Sequence, residues 1–290
     1  MLEAAILSGK VTPSAVIATD TTNPKAGGTL TVTVNVKGLT DTDVIYWAIA
    51  DGQELLASDF ATNSGSGRTT NKRWTITVTM PYKSVNTGKK FRIGVGQTLA
   101  EARAGVMGLS GLITMGAGNA VSGSQNWTTG GTYYLTVPEF VYSMAVYGAS
   151  AGGGGGDGEN KYGGKAGTPG KAGVAGNSSF AVTPGERITI VVGAGGTNVK
   201  GQNGGKGGDT TVTRASGTRV LNLVGGDGGT YMGGSGGGDG GKPTAAGSGV
   251  SVTGVSVTPL PGTPGAGGFG GSVSYKQSTA GSPGAVRLVW

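Results

Sequence analysis

The chain has 290 residues, a net charge of +7, 63 glycines, and neither histidine nor cysteine. Ser-His-Asp and Cys-His nucleophiles, disulfides and thiolate chemistry are therefore excluded, and zinc would have only carboxylates to bind. Charged residues make up 13% of the chain, against about 25% in ordinary domains, and lysines and arginines are scattered singly. No concentrated basic stripe marks a nucleic-acid interface, and no apolar run is long enough to predict membrane insertion. The first ten residues lack the basic start and long apolar core of a signal peptide.

Residues 1–99 read as a β-sandwich. Strands are predicted over 14–19, 29–37, 44–51, 73–80 and 90–96. In the second, Leu30, Val32, Val34 and Val36 alternate with threonines, which puts the four on one face. Ile45, Trp47 and Ile49 repeat the pattern, as do Trp74, Ile76 and Val78. Turns are expected at Asn23-Pro24, Gly27-Gly28, Asp51-Gly52, Gly65-Ser-Gly67 and Asn86-Thr-Gly88. Short strands at this spacing, with Trp47 central, suggest an immunoglobulin-like sandwich. The only helical periodicity lies near 99–106.

Residues 100–124 form an apolar, glycine-broken stretch, expected to be a linker or an attachment segment. The second domain, 125–290, opens with two strands, 132–137 and 141–148, read as a pair around Pro138-Glu139-Phe140. A second pair is read over 179–193, and the chain closes on a strand ending at Trp290.

Between these strands glycine recurs every third residue, over 164–176 and again over 262–271. Three residues per turn is the repeat of the polyproline II helix, and glycine at every third place lets neighbouring backbones touch. A flexible linker would need no period. A collagen triple helix would need far more than the four or so triplets of the longest strict run. The expected architecture is all-β: an immunoglobulin-like β-sandwich followed by a β-strand-framed glycine-rich polyproline II helix bundle.

Two glycine motifs imitate ligand sites. Residues 236–242 have phosphate-loop spacing, but Pro243 stands where a metal-binding hydroxyl belongs. Residues 204–212 resemble one calcium-binding nonapeptide, but Thr211 replaces the large apolar residue and no tandem repeat follows. Acidic residues are sparse in the second domain: Glu139, Asp157, Glu159, Glu186, Asp209, Asp227 and Asp239. No enzyme, cofactor or metal site is expected.

The order of five segments in the second domain resembles phage tail-fibre and adhesin proteins with C-terminal glycine-rich domains. They are 126–138 (Asn-Trp-Thr-Thr-Gly-Gly-Thr-Tyr-Tyr-Leu-Thr-Val-Pro), 143–149 running into polyglycine, 182–196, 203–212 and 284–290. The resemblance covers about 125–290. It implies a virion protein that binds a host bacterial surface receptor, an outer-membrane protein or a polysaccharide, through loops joining polyproline II helices. It also implies other virion proteins as partners and a homotrimer or monomer on a fibre. The candidate receptor-binding residues are the bulky ones that interrupt the glycine pattern: Tyr162, Tyr231, Met232, Phe269, Tyr275 and Lys276. Their alternative role is to cap the bundle against its strands. The alternative function is a capsid decoration or head-fibre protein.

Overall fold

The computed structural model describes residues 11–158, 166–231, 264–269 and 278–290. The described chain is all-β, with several antiparallel sheets, one short α-helix and two single 3-10 turns. It divides into two compact units, Met1–Ala120 and Val121–Trp290.

The first unit contains β1 (Ser14–Thr19), β2 (Thr29–Lys37), β3 (Val44–Ile49), β4 (Ser64–Arg68), β5 (Arg73–Thr79), β6 (Lys90–Phe91), β7 (Ile93–Gly96), α1 (Leu99–Ala104), β8 (Gly108–Leu109) and β9 (Ile113–Thr114). One sheet has the order β1-β2-β5, the other β4-β3-β7-β8, and β6 pairs with β9. The alternation sets the buried faces: Leu30, Val32, Val34 and Val36 are buried on β2, and Ile45, Trp47 and Ile49 on β3. On β5, Ile76 and Val78 are buried, whereas Trp74 is only half-buried.

The stretch expected to turn at Gly65-Ser-Gly67 is instead strand β4. Its glycines lie against the indoles of Trp47 and Trp74, where a side chain would not fit. Much of 100–124 is also built into this unit, because β8 pairs with β7 and β9 with β6.

The turn between β4 and β5, which lie in different sheets, is closed by the Thr70–Arg73 bridge and runs through Asn71 (φ 53°) and Lys72 (φ 61°), the positive angles a type I′ turn requires. The Asp41 carboxylate holds this turn, accepting from the amides of Lys72 and Asn71 and from the Thr69 hydroxyl at 2.8–2.9 Å. The Lys72 amide and the Thr69 hydroxyl draw the Asp41 pKa below its ordinary value. A left-handed conformation costs a non-glycine residue about 1–2 kcal/mol, partly offset by the unfolded-state entropy of glycine, about 0.4–1 kcal/mol. Lys72→Gly keeps the amide that Asp41 binds, so it is expected to raise the stability of this unit by about 0.5 kcal/mol. A thermal melt checks this, and a lowered midpoint contradicts it.

The second unit contains β10 (Ser124–Trp127), β11 (Gly131–Thr136), β12 (Ser143–Ala149), β13 (Ala175–Ala181), β14 (Arg187–Val192), β15 (Thr210–Thr213), β16 (Arg219–Leu223) and β17 (Ala285–Val289). Two four-stranded antiparallel sheets have the orders β10-β17-β12-β13 and β11-β14-β15-β16. They share one core, to which Met144, Val146, Val286 and Leu288 come from the first sheet and Ile188, Ile190, Val192 and Val212 from the second. Full burial of each such side chain contributes about 1.5–3 kcal/mol.

The strands expected to pair around Pro138-Glu139-Phe140 do not pair. β11 bonds to β14, and β12 to β17 and β13, so the connection crosses from one sheet to the other. The two strands read over 179–193 likewise separate, β13 into the first sheet and β14 into the second. The C-terminal strand β17 is inserted between β10 and β12.

From one end of these sheets the glycine-rich chain runs outward and back. Residues 150–157 continue β12 outward, and 166–174 return into β13. Residues 193–199 continue β14, and 202–209 return into β15. Residues 225–231 continue β16, 264–269 run in the same direction, and 278–284 return into β17.

Segment 150–157 is the axis. Its amides donate in strict rotation to three antiparallel neighbours. Ser150, Gly153 and Gly156 bond to the carbonyls of Val174, Lys171 and Thr168; Ala151, Gly154 and Asp157 to those of Gly208, Gly205 and Gln202; Gly152 and Gly155 to those of Ser282 and Thr279. Its carbonyls accept from three parallel neighbours, through the amides of Gly196, Gly226, Gly229 and Gly268.

The six outer segments also bond to one another and close a ring. The order is 166–174, 264–269, 278–284, 193–199, 202–209, 225–231 and back to the first, with direction alternating at every step. The axis is buried from Ser150 to Asp157. A Cβ added to Gly152, Gly153 or Gly154 would fall on the carbonyl oxygen of Ala266, Asp227 or Thr197 respectively. Glycine is needed here for backbone proximity, and the distances set by the bonds leave no room for anything larger.

Candidate functional site

At the end of this bundle farthest from the sheets lie the outermost described residues of the seven segments, and 193–199 turns there into 202–209. Side-chain hydrogen bonds join neighbouring segments there. The Asn203 carboxamide oxygen accepts from the Tyr231 amide at 2.6 Å. The Thr279 hydroxyl accepts from the Phe269 amide at 2.7 Å. The Thr168 hydroxyl accepts from the Thr230 amide at 2.6 Å, and Asn198 donates from Nδ2 to the Ser278 carbonyl at 2.7 Å. At the axis, the buried Asp157 accepts from the Gly201 amide at 2.8 Å. Short polar side chains thus fasten neighbouring segments to one another at this end.

Two of the sequence candidates stand on this rim. Phe269 is 50% exposed, and Tyr231 is half-buried. The backbone amide of each is held by a side chain of the adjoining segment. Tyr162, Met232, Tyr275 and Lys276 lie outside the described residues. Sequence reasoning passed over the fastening residues Asp157, Thr168, Asn198, Asn203 and Thr279. Their one signal is position, since each is a short polar residue within two positions of a glycine.

The remaining charges serve the frame. Asp209 accepts from the Gly225 amide at 2.9 Å, which joins β15 to the start of 225–231 and occupies the residue that suggested calcium. The exposed pair Lys171–Asp227 lies at 2.9 Å on the outer flank, and Lys171 holds the Asp227 pKa below its ordinary value. Among the described residues, no group of three or more acidic side chains is placed to hold a metal ion. No described helix is long and apolar enough to cross a membrane. The motif at 236–242 lies outside the described residues.

No family model matches the chain, and no curated protein does. Among solved structures, it is similar to the three N-terminal domains of the bacteriophage RB49 Highly Immunogenic Outer Capsid protein (Hoc), with 11% identity and a TM-score of 0.21. The match covers 76% of this chain and 59% of that one, so the chain spans less than two thirds of its length. Superposition at this level fixes neither fold nor role.

Proposed function

We propose that this chain is a non-enzymatic bacteriophage virion protein, a tail fibre or adhesin, that binds the host cell surface through the outer rim of its glycine-rich domain. The observation that carries the reading is the rim itself. Aromatic side chains stand exposed or half-exposed on backbone that is already fastened, so little ordering cost remains to be met on binding.

The frame is best read as a polyproline II bundle, because bond partners advance by three residues along every segment. The first unit is best read as an immunoglobulin-like sandwich, since the orders β1-β2-β5 and β4-β3-β7-β8 divide the strands between two sheets as such domains do. The resemblance of 125–290 to phage adhesins supports the same assignment. On this reading the chain resides in the virion, with other virion proteins as neighbours and no cofactor. The ring of segments closes within one chain, which favours a monomeric binding module.

Adsorption competition tests it. Purified full-length chain is expected to bind susceptible cells and to block phage adsorption, and Phe269→Ala is expected to weaken the block about tenfold, as for a central aromatic anchor. A chain that neither binds cells nor competes overturns the proposal. So does particle labelling that puts the chain on the head.

A further inference from the structure

We infer that Asn203 is a modification site: its spontaneous deamidation through Gly204 is held off while the glycine frame is closed and, once it yields isoaspartate, keeps segment 202–209 from docking again. The inference rests on the frame and not on what the rim binds.

Asn203-Gly204 is the single Asn-Gly pair among the 290 residues. The pairing matters because glycine has no side chain to keep its amide away from the preceding carboxamide, and asparagine is among the thermolabile residues. In the reaction the Gly204 nitrogen attacks Cγ of Asn203. Nδ2 leaves as ammonia, taking the proton that the Gly204 amide gives up. Water then opens the five-membered imide. Attack at Cγ leaves aspartate in a normal backbone. Attack at the main-chain carbonyl leaves isoaspartate, in which the chain runs through Cβ and Cγ. Water is the sole co-reactant, and Asn203 is exposed to it.

Both reacting groups are tied up in the closed frame. The Gly204 amide donates to the Gly229 carbonyl at 2.8 Å, and the Asn203 carboxamide oxygen accepts from the Tyr231 amide at 2.6 Å. Both bonds lead to 225–231, so the nitrogen reaches Cγ only after 202–209 lifts off that neighbour. The opposite side is closed too. A Cβ on Gly204 would fall on the Gly154 carbonyl oxygen, which leaves the backbone no room to turn in place.

The two products fit the frame differently. Aspartate keeps a side-chain oxygen where the Tyr231 amide donates. Isoaspartate changes the chain length. The carbonyls of Gln202 and Gly205 receive the amides of Asp157 and Gly154 at 3.1 and 2.9 Å. These contacts stand three residues apart on both segments, and the Asn203–Gly204 link lies between them. One extra main-chain carbon adds about 1.5 Å, so both contacts cannot be met at once. The same shift carries Gly204 away from Gly229.

The test incubates full-length chain in mildly alkaline buffer with and without denaturant. Mass spectrometry follows the peptide holding residue 203, and fragmentation scores isoaspartate. Deamidation of Asn203 is expected about a hundredfold or more slower without denaturant, since the frame must open first. In native buffer Gly154→Ala, which crowds the axis, is expected to speed it about tenfold or more. Asn203→Gln, whose carboxamide needs a larger ring, is expected to gain no acid at this site. Chain deamidated in denaturant is then refolded beside Asn203→Asp, and amide exchange is read at Gly154 and Gly204. Asn203→Asp is expected to protect both amides, and the isoaspartate form to exchange them about tenfold or more faster.

A native rate within about twofold of the denatured rate overturns the protection. Isoaspartate chain that protects Gly154 and Gly204 as well as Asn203→Asp does overturns the block on docking. Loss of protection in Asn203→Asp itself overturns chain length as the cause.

Discussion

Gly154→Ala is expected to lower the stability of the second unit by about 3 kcal/mol or more, and Gly153→Val to leave that unit unfolded. The reason is geometric. A methyl group on Gly154 meets the Thr197 carbonyl oxygen, and that oxygen already accepts from the Gly205 amide at 2.7 Å. Backbone locked in this way cannot step aside as a side chain would. Relief requires opening the ring, which breaks bonds on both sides of the intruding atom. Whole-domain stabilities are only about 5–15 kcal/mol, so one such lesion is a large share.

Gly111→Ala supplies the contrast. A Cβ there meets nothing within 4 Å, and its φ is not in the left-handed region. The substitution is expected to be neutral or to stabilise the first unit by about 0.4–1 kcal/mol through the unfolded state. Amide spectra of the two variants separate the units. In the Gly153→Val spectrum, peaks of the first unit are expected to persist while those of 121–290 collapse. An unchanged spectrum for Gly153→Val would mean the glycine segments are not packed as described.

The second large effect is expected at Glu186→Ala, which should lower the stability of the second unit by about 2–3 kcal/mol, the range for hydrogen bonds to charged groups. Glu186 lies just before β14. Its carboxylate receives Nε and Nη2 of Arg214 at 2.9 and 2.8 Å, the Thr183 amide at 3.1 Å and the Ala215 amide at 3.3 Å. It ties the turn before β14 to the turn after β15 at the end of the sheets opposite the bundle. Its side chain is 9% exposed and that of Arg214 27%, so solvent screens the pair less than a surface pair.

The Arg214 guanidinium is the largest cause holding the Glu186 pKa below its ordinary value, against the opposing effect of burial. The sign for pH follows. A carboxylate whose pKa is lower folded than unfolded adds stability that is complete above the unfolded value and lost as pH falls through the folded one. The wild-type melting midpoint of the second unit is therefore expected to drop below about pH 4.3, the ordinary glutamate range. In Glu186→Ala the drop is expected to be shallower. Parallel pH curves for the two proteins would contradict the role assigned to Glu186.

Strict alternation made the faces of β2, β3 and β5 legible in the sequence, because a period of two assigns every side chain to one side. It carried no information on partners. That is why β11 and β12 read as a hairpin, whereas their connection crosses between sheets. β4 was illegible for a different reason. Ser64–Arg68 has no apolar alternation to display, since its glycines make room for the indoles of Trp47 and Trp74. The glycine period announced close backbone contact, but which segment touches which depends on the six strands that launch and receive them.

At the candidate site, the sequence pointed to bulk: Tyr231 and Phe269 stand out against glycine. The small residues that hold them, Asn203 and Thr279, look in sequence like ordinary turn polarity. Their role is visible only once residues 28 and 10 apart in the chain are adjacent. Asp157 was equally inconspicuous, since a carboxylate after a glycine run usually faces water, whereas here it is buried at the end of the axis.

Every functional statement here depends on the glycine segments being a fixed frame for the rim. Amide hydrogen exchange resolved to Gly152, Gly153, Gly154, Gly155 and Gly156 of the full chain tests that most directly. These amides are buried and bonded to the carbonyls of Ser282, Lys171, Gly205, Thr279 and Thr168, and exchange is expected only when the whole second unit opens, as slowly as in strands β12 and β17. Exchange at the rate of an unstructured glycine peptide, with β12 and β17 still protected, would contradict the frame and remove the support on which the rim is held.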